Sequence, residues 1–160
     1  MQLEARHRHA ERGLVDRDLG DRGADADELH RLGAELIQRE HGRDRLAPDA
    51  KQLLQSASVI GKDFSFALLH GVAELSEENL RRELGHLQAA EFIYETRLFP
   101  DLEYTFKHAL THEVAYGSLL QDRRRGLHAR TVEAIERCYP ERLAEHAERL
   151  AHHALRGEVW

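Results

Sequence analysis

The sequence is poor in several residue types, with one cysteine, one methionine, one tryptophan, three prolines and only 6% aromatic residues in 160. The single cysteine, Cys138, excludes an internal disulfide and a cysteine-based zinc cluster, and it agrees with a reducing compartment. We expect Cys138 to act as a small buried hydrophobic residue.

Long hydrophobic runs are also absent. No stretch approaches the roughly 20 apolar residues that cross a bilayer, and the charged segment Met1 to Arg12 lacks the apolar core of a signal peptide. We therefore expect a cytoplasmic protein with no membrane partner.

Positive charge is in deficit: 23 Lys and Arg face 29 Asp and Glu, which gives a net charge of −6 with His neutral. Because phosphate backbones are bound by a surplus of Lys and Arg, this balance argues against a nucleic-acid partner. One basic cluster, Arg123, Arg124 and Arg125, is predicted to be a contact patch, either solvated or paired with an acidic neighbouring domain.

What is present favours a helical protein, since 41% of residues are hydrophobic and 32% are charged. Residues 1–45 are crowded with Arg, Asp, Gly, His and Ala, and we predict a poorly packed lead-in with one helix from about 27 to 39. Residues 46–121 are predicted to form one domain. Residues 122–160 are predicted to be a truncated helical extension.

Apolar spacing predicts three helices in the central domain. The first begins at Pro48 and ends at Gly61, the second lies near 64–73, and the third runs from Ser76 as N-cap to about residue 90. A change of period follows, because apolar residues in 92–94 and 104–106 flank a turn-prone segment at 99–101, as in a β-hairpin. Three helices closed by a hairpin are typical of a winged helix, a helix-turn-helix variant.

Further helices are predicted after the hairpin. One contains Leu110, Val114 and Leu120, and the next contains Val132 and Ile135 and is stopped at Pro140. A last helix is predicted to start at Pro140, with a narrow stripe of small apolar residues, as at the opening of a helical-repeat arm. Its members are Leu143, Ala147, Leu150, Ala151 and Ala154. The fold class is therefore mainly α: a winged-helix-like core with a hairpin, followed by the start of a repeat arm.

Several segments together resemble the region that follows the nucleotide-binding domain in bacterial signalling ATPases of the STAND type. They are Asp44–Pro48, Leu53–Leu54, Val59–Lys62, Leu87–Tyr94, Tyr104–Leu110 and Val114–Tyr116, and the resemblance runs from about Asp44 to Trp160. Such ATPases are often fused to an adenylate or guanylate cyclase domain and followed by tetratricopeptide-like repeats. The resemblance implies a non-catalytic signal-transduction fragment whose partners are an upstream ATPase domain and downstream repeats. ATP or ADP with Mg²⁺ would belong to the parent protein, with no cofactor in this fragment.

The resemblance also implies a role for His108 and the adjoining Lys107. In the wider class, a histidine at the junction of the hairpin and the next helix meets the β-phosphate of ADP, and Phe106-Lys107-His108 looks like that element. A helix start suits an anion on physical grounds. The alternative is a capping or core histidine.

Other chemistry finds no support in the sequence. Gly61-Lys62 is followed by Asp63, so it is not a phosphate loop. His108 and His112 are four residues apart and could share a helix face, but Tyr116 occupies the position where a zincin has its next histidine. The His152-His153 pair is expected to be solvated or packed. No metal site is predicted. No nucleophile comes with a base at recognisable spacing, so we expect no enzyme activity in the fragment.

Two alternatives to the regulatory reading remain. One is a winged-helix DNA-binding regulator, although the third helix carries three glutamates, Glu77, Glu78 and Glu83, against Arg81 and Arg82. The other is a protein-interaction module built from the final helices.

Overall fold

The computed structural model describes residues 46–159, which are mainly helical with one small antiparallel sheet. The elements in chain order are α1 (Pro48–Ile60), β1 (Asp63–Ser65), α2 (Phe66–Ala73), α3 (Glu77–Ala89), β2 (Ile93–Arg97), β3 (Glu103–Phe106), α4 (Ala109–Gly117), α5 (Gln121–Cys138), a 3-10 turn (Leu143–His146) and α6 (Ala147–Gly157). The lead-in over 1–45 and its helix at 27–39 lie outside the described residues.

Helix α1 has the predicted bounds. Pro48 lies at its start, where a missing N–H costs nothing, and Asp49 places negative charge in the first turn. Gly61 ends it at φ 144°, a backbone conformation that residues other than glycine rarely adopt. The buried face includes Leu53, Leu54 and Ile60, so this helix forms one wall of the core.

Helix α3 starts at the predicted cap. The Ser76 hydroxyl accepts a hydrogen bond from the backbone N–H of Asn79 at 3.3 Å, and Glu77 and Glu78 occupy the first turn. Leu80, Leu84 and Leu87 are buried along one side.

Replacing Ser76 with Ala is expected to lower the free energy of unfolding by about 1 kcal/mol, because the Asn79 N–H loses its acceptor. Urea denaturation measures the change. Ser76→Asp is the matched control: it keeps an acceptor and adds charge that the helix dipole favours, so it should unfold like the natural chain. Equal loss in both variants would contradict the capping role.

The sheet has three strands in the order β1-β3-β2, all antiparallel. The hairpin of β2 and β3 was predicted, whereas β1 was not. Phe64 pairs with Tyr104 across the sheet and its ring stacks on that of Tyr104 at 5.8 Å. The predicted start of the second helix near residue 64 is therefore wrong, because 63–65 extend to complete the sheet and the helix begins at Phe66.

One hydrophobic core is continuous from α1 through the sheet to α5. Leu127, Ala134 and Ile135 of α5 belong to it, so the core extends across the predicted domain boundary after residue 121. Helix α2 approaches α5 closely at Gly71, where an added Cβ would lie 2.9 Å from the Cβ of Ala134.

The helix predicted through Leu120 is shorter than expected. Helix α4 ends at Gly117, and Leu120 is 77% exposed at the start of α5. Cys138 ends α5 and is partly rather than completely buried. Burial raises the pKa of its thiol.

The prediction that the last helix starts at Pro140 is also wrong. The residue before a proline rarely adopts helical backbone angles, so α5 ends before Tyr139. A turn follows, closed by a 3.0 Å hydrogen bond from the N–H of Arg142 to the carbonyl of Tyr139. The Tyr139 hydroxyl shares a 3.2 Å hydrogen bond with Ser65. Regular α-helix resumes only at Ala147.

The buried face of α6 differs from the predicted stripe. Its buried residues are His153 and Gly157, with Leu150 partly buried, whereas Leu143, Ala147 and Ala151 are exposed. Among residues 46–159, no helix combines the length and apolar content needed to cross a membrane.

Candidate functional site

The junction between β3 and α4 carries the two residues predicted to sense a nucleotide. His108 is the N-cap residue of α4, is exposed, and makes no side-chain capping bond. The preceding Phe106 is buried in the core, so the backbone is fixed where His108 leaves the sheet. Lys107 is exposed and its Nζ pairs with a carboxylate oxygen of Glu91 at 2.7 Å.

His112 belongs to the packing of this junction. Its Nε2 lies 2.9 Å from the carbonyl oxygen of Ser58, and its ring meets Phe106 edge-on at 5.1 Å. His112 therefore fastens α4 to α1, whereas His108 faces outward.

The arginines of the predicted basic patch have different partners. Arg124 places its Nη2 3.1 Å from the Tyr116 carbonyl and 3.2 Å from the Leu119 carbonyl, and its guanidinium lies 4.3 Å from the centre of the Tyr116 ring. Arg124 thus covers carbonyls at the end of α4. Arg125 pairs with Asp122 and with Glu158 of the α6 end at 2.9 and 3.0 Å.

Of the three, Arg123 is exposed and lines a groove of about 380 Å³ between α1, α2 and α5, which Arg124 and Arg125 do not line. Asp49, Glu74 and Asp122 also line this groove. The run is therefore not a uniformly basic surface.

The arginines of α3 are likewise engaged. Arg81 pairs with Glu77 at 2.7 Å, and Arg82 pairs with the buried Glu83 at 3.1 Å. Because both guanidinium groups face carboxylates, this helix offers little excess charge to a phosphate backbone.

A second cluster, which we call the histidine triad, joins α5 to α6. It consists of His128, His152 and His153, and one ring nitrogen from each lies within 4.8 Å of those from the other two. His128 and His153 are 1% and 2% exposed, and their Nδ1 atoms lie 2.8 Å apart in a hydrogen bond in which one ring donates and the other accepts. His152 is exposed at the edge.

Tyr116 extends the triad to α4, because its hydroxyl lies 3.1 Å from Nε2 of His128. A continuous chain of polar contacts thus links α4, α5 and α6. Beside it, an open groove of about 560 Å³ is lined by Tyr116, His128, Arg125 and Arg156 among others.

The electrostatics of the triad favour neutral rings. Burial, followed by repulsion from His152, Arg156 and Arg124, lowers the pKa of His128 to about 4. Burial, followed by repulsion from His128 and His152, lowers the pKa of His153 to about 3. Burial and Arg156 lower the pKa of His152 as well. Neutral imidazole is the form that binds metals.

Comparisons with known proteins add no family to this picture, because no family profile, curated protein or solved structure matches the chain.

The His152-His153 pair was predicted from the sequence to be solvated or packed, and its partner His128 was not predicted. His153 is packed and His152 is exposed. His128 lies 25 residues before His153, on another helix. The one sequence pattern that could have indicated its burial is its spacing, four residues before Val132 and seven before Ile135, which places it on the buried face of α5.

Proposed function

We propose that this chain is a non-catalytic regulatory module of a nucleotide-binding signalling protein, in which a winged-helix-like unit couples nucleotide state to a helical arm. The order helix, strand, helix, helix, strand, strand and the sheet order β1-β3-β2 support the winged-helix assignment. The supporting resemblance covers about 44–160.

The position of His108 carries the proposal. The first amides of a helix have no intrahelical acceptor and carry partial positive charge, which suits a phosphate. His108 is the N-cap residue of α4, but its ring makes no capping hydrogen bond, so those amides can donate to another acceptor. Lys107 lies beside it, and a phosphate there would compete with Glu91 for its ammonium group.

The same helix also supports a route to the arm. Helix α4 begins after His108 and carries Tyr116 near its other end, where the chain of hydrogen bonds passes through His128 to His153 on α6. A displacement of α4 at the nucleotide would change these contacts. Coupling requires two arrangements with different nucleotide affinity, and in this proposal the second arrangement is one in which the contacts of Tyr116 and His128 have changed.

In this proposal the ATP or ADP with Mg²⁺ is held by the ATPase domain of the parent protein. That domain packs against the His108 junction, and the following repeats pack on α6. The exposed Ala147, Ala151 and Leu155 of α6, with Leu143 in the preceding 3-10 turn, support such a contact. The chain itself contributes positioning and contact, not chemistry.

The test is an ADP titration of a protein in which this chain follows its nucleotide-binding domain. His108→Ala is expected to weaken ADP about tenfold, because a hydrogen bond to a charged group is lost. His70→Ala, which removes an exposed histidine from α2, is the matched control and should leave the affinity unchanged. Equal ADP affinity in the natural protein and the His108→Ala variant would remove the sensor role.

A further inference from the structure

The histidine triad has the donor set of a transition-metal site. Three imidazoles from two helices converge, and no carboxylate belongs to the group within the described residues. Imidazole suits zinc, copper and nickel, whereas magnesium and calcium prefer oxygen ligands.

We propose that His128, His152 and His153 bind a divalent transition-metal ion of the Zn²⁺ type, which pins α6 to α5. The site shares His128 and His153 with the route to the arm proposed above, but metal binding does not rest on the nucleotide role of His108 and is measured without nucleotide.

The spacing fits with small movements. In a tetrahedral zinc site with Zn–N bonds of about 2.0–2.1 Å, the ligand nitrogens are roughly 3.4 Å apart. The Nδ1 atoms of His128 and His153, now 2.8 Å apart, would separate by about half an ångström, and His152 would move inward by roughly an ångström. His152 is the exposed member, so the largest movement falls on the side chain with most freedom.

The proton balance is simple. At present one hydrogen lies between the two Nδ1 atoms. When the ion takes both Nδ1 lone pairs, that hydrogen moves through solvent to Nε2 of the same ring, and both rings stay neutral with no net proton release. Nothing is oxidised or reduced.

Tyr116 supplies the outer contact that orients a ligand. Its hydroxyl lies 3.1 Å from Nε2 of His128, so with metal bound it would accept the N–H of that nitrogen and leave Nδ1 as the lone-pair donor. Metal-binding histidines commonly have their second nitrogen fixed in this way. On the other side, the exposure of His152 leaves room for water as a fourth ligand.

The experiment is a Zn²⁺ titration of the purified full chain after EDTA treatment, by competition with a chromophoric chelator. His152→Ala removes a ligand from the surface, and Tyr116→Phe removes only the outer hydroxyl; each is expected to weaken the tightest Zn²⁺ site about tenfold or more. Both variants leave the buried histidine pair in place. In EDTA, His152→Ala should unfold at the same temperature as the natural chain, whereas Tyr116→Phe leaves Nε2 of the buried His128 without this partner and should unfold at a lower temperature.

Controls separate this site from the other histidines among the 12 of the chain. His70→Ala and His86→Ala each remove an exposed histidine elsewhere and should leave the tightest site unchanged. Zn²⁺ should raise the unfolding midpoint of the natural chain, and Mg²⁺ at the same concentration should not. Equal Zn²⁺ affinity in the natural chain and in both test variants, or equal weakening by the control variants, would overturn the proposal.

Discussion

Acidification from about pH 7 to about pH 4 is expected to lower the free energy of unfolding by on the order of a few kcal/mol through His128 and His153 alone. In the unfolded chain both rings take up a proton near their ordinary pKa of 6.5, whereas in the fold their pKa values are about 4 and about 3. Between these values the unfolded state binds more protons. The stabilisation is therefore present above about pH 6.5 and is lost as the pH falls toward 3.

Urea denaturation at a series of pH values, with EDTA present, measures this loss. The groups that act on the pair belong to both helices: Arg124 on α5, and His152, Arg149 and Arg156 on α6. Carboxylates elsewhere, such as Glu77 and Glu145 with their pKa values lowered by arginine hydrogen bonds, also lose stabilisation in acid. The natural chain must therefore be compared with a variant that lacks the pair.

The matched variant is the double substitution His128→Leu with His153→Leu. It replaces two rings bonded to each other with apolar groups, and the remaining partner, the Tyr116 hydroxyl, lies beside the open groove where water can bond to it, so the change should cost little at neutral pH. Its stability should fall less steeply between about pH 6.5 and 4. The same slope in both proteins would show that these two rings do not take up protons on unfolding.

Gly157→Ala is expected to lower the free energy of unfolding by about 1–3 kcal/mol. A Cβ at this position would lie 2.7 Å from the backbone nitrogen and 3.0 Å from the Cα of Ala129, and backbone atoms in the middle of α5 cannot yield as a side-chain end does. Helix α6 would have to move outward. His153 lies one turn before Gly157 on the same face, so its contact with His128 should lengthen as well.

Gly126→Ala is the matched control. It is also a glycine in a helix of this pair, but an added Cβ there meets nothing within 4 Å. The higher helix propensity of alanine should stabilise the chain by about 0.5–1 kcal/mol. Thermal unfolding of the two variants measures the contrast, and a Gly157→Ala protein as stable as Gly126→Ala would show that the helices are not in such close contact.

Local patterns predicted the parts of the fold that depend on neighbours in sequence. The start of α1 at Pro48, its end at Gly61, the Ser76 cap and the β2–β3 hairpin each rest on a few consecutive residues with strong backbone preferences. These predictions are confirmed. The placement of His108 at a helix start follows from the same local signals.

What the sequence did not predict depends on distant partners. Strand β1 is three residues long and is extended because its backbone pairs with β3, some forty residues later in the chain. The start of α6 was misplaced because Pro140 has helix-start character but begins a turn, closed by the hydrogen bond from the Arg142 N–H to the Tyr139 carbonyl, and a 3-10 turn follows it. The histidine triad cannot be predicted from neighbouring residues, because it forms only where α6 packs closely on α5 at Gly157.

The turn after α5 has a mechanical consequence. Helix α5 is built into the main core, and Tyr139 is tied back to the sheet through Ser65, so both must travel with the body of the protein. Helix α6 is held against α5 as well, through His153 and Gly157. A reorientation of the last helix would therefore have to break these contacts, with the change in chain direction falling in the residues after Tyr139.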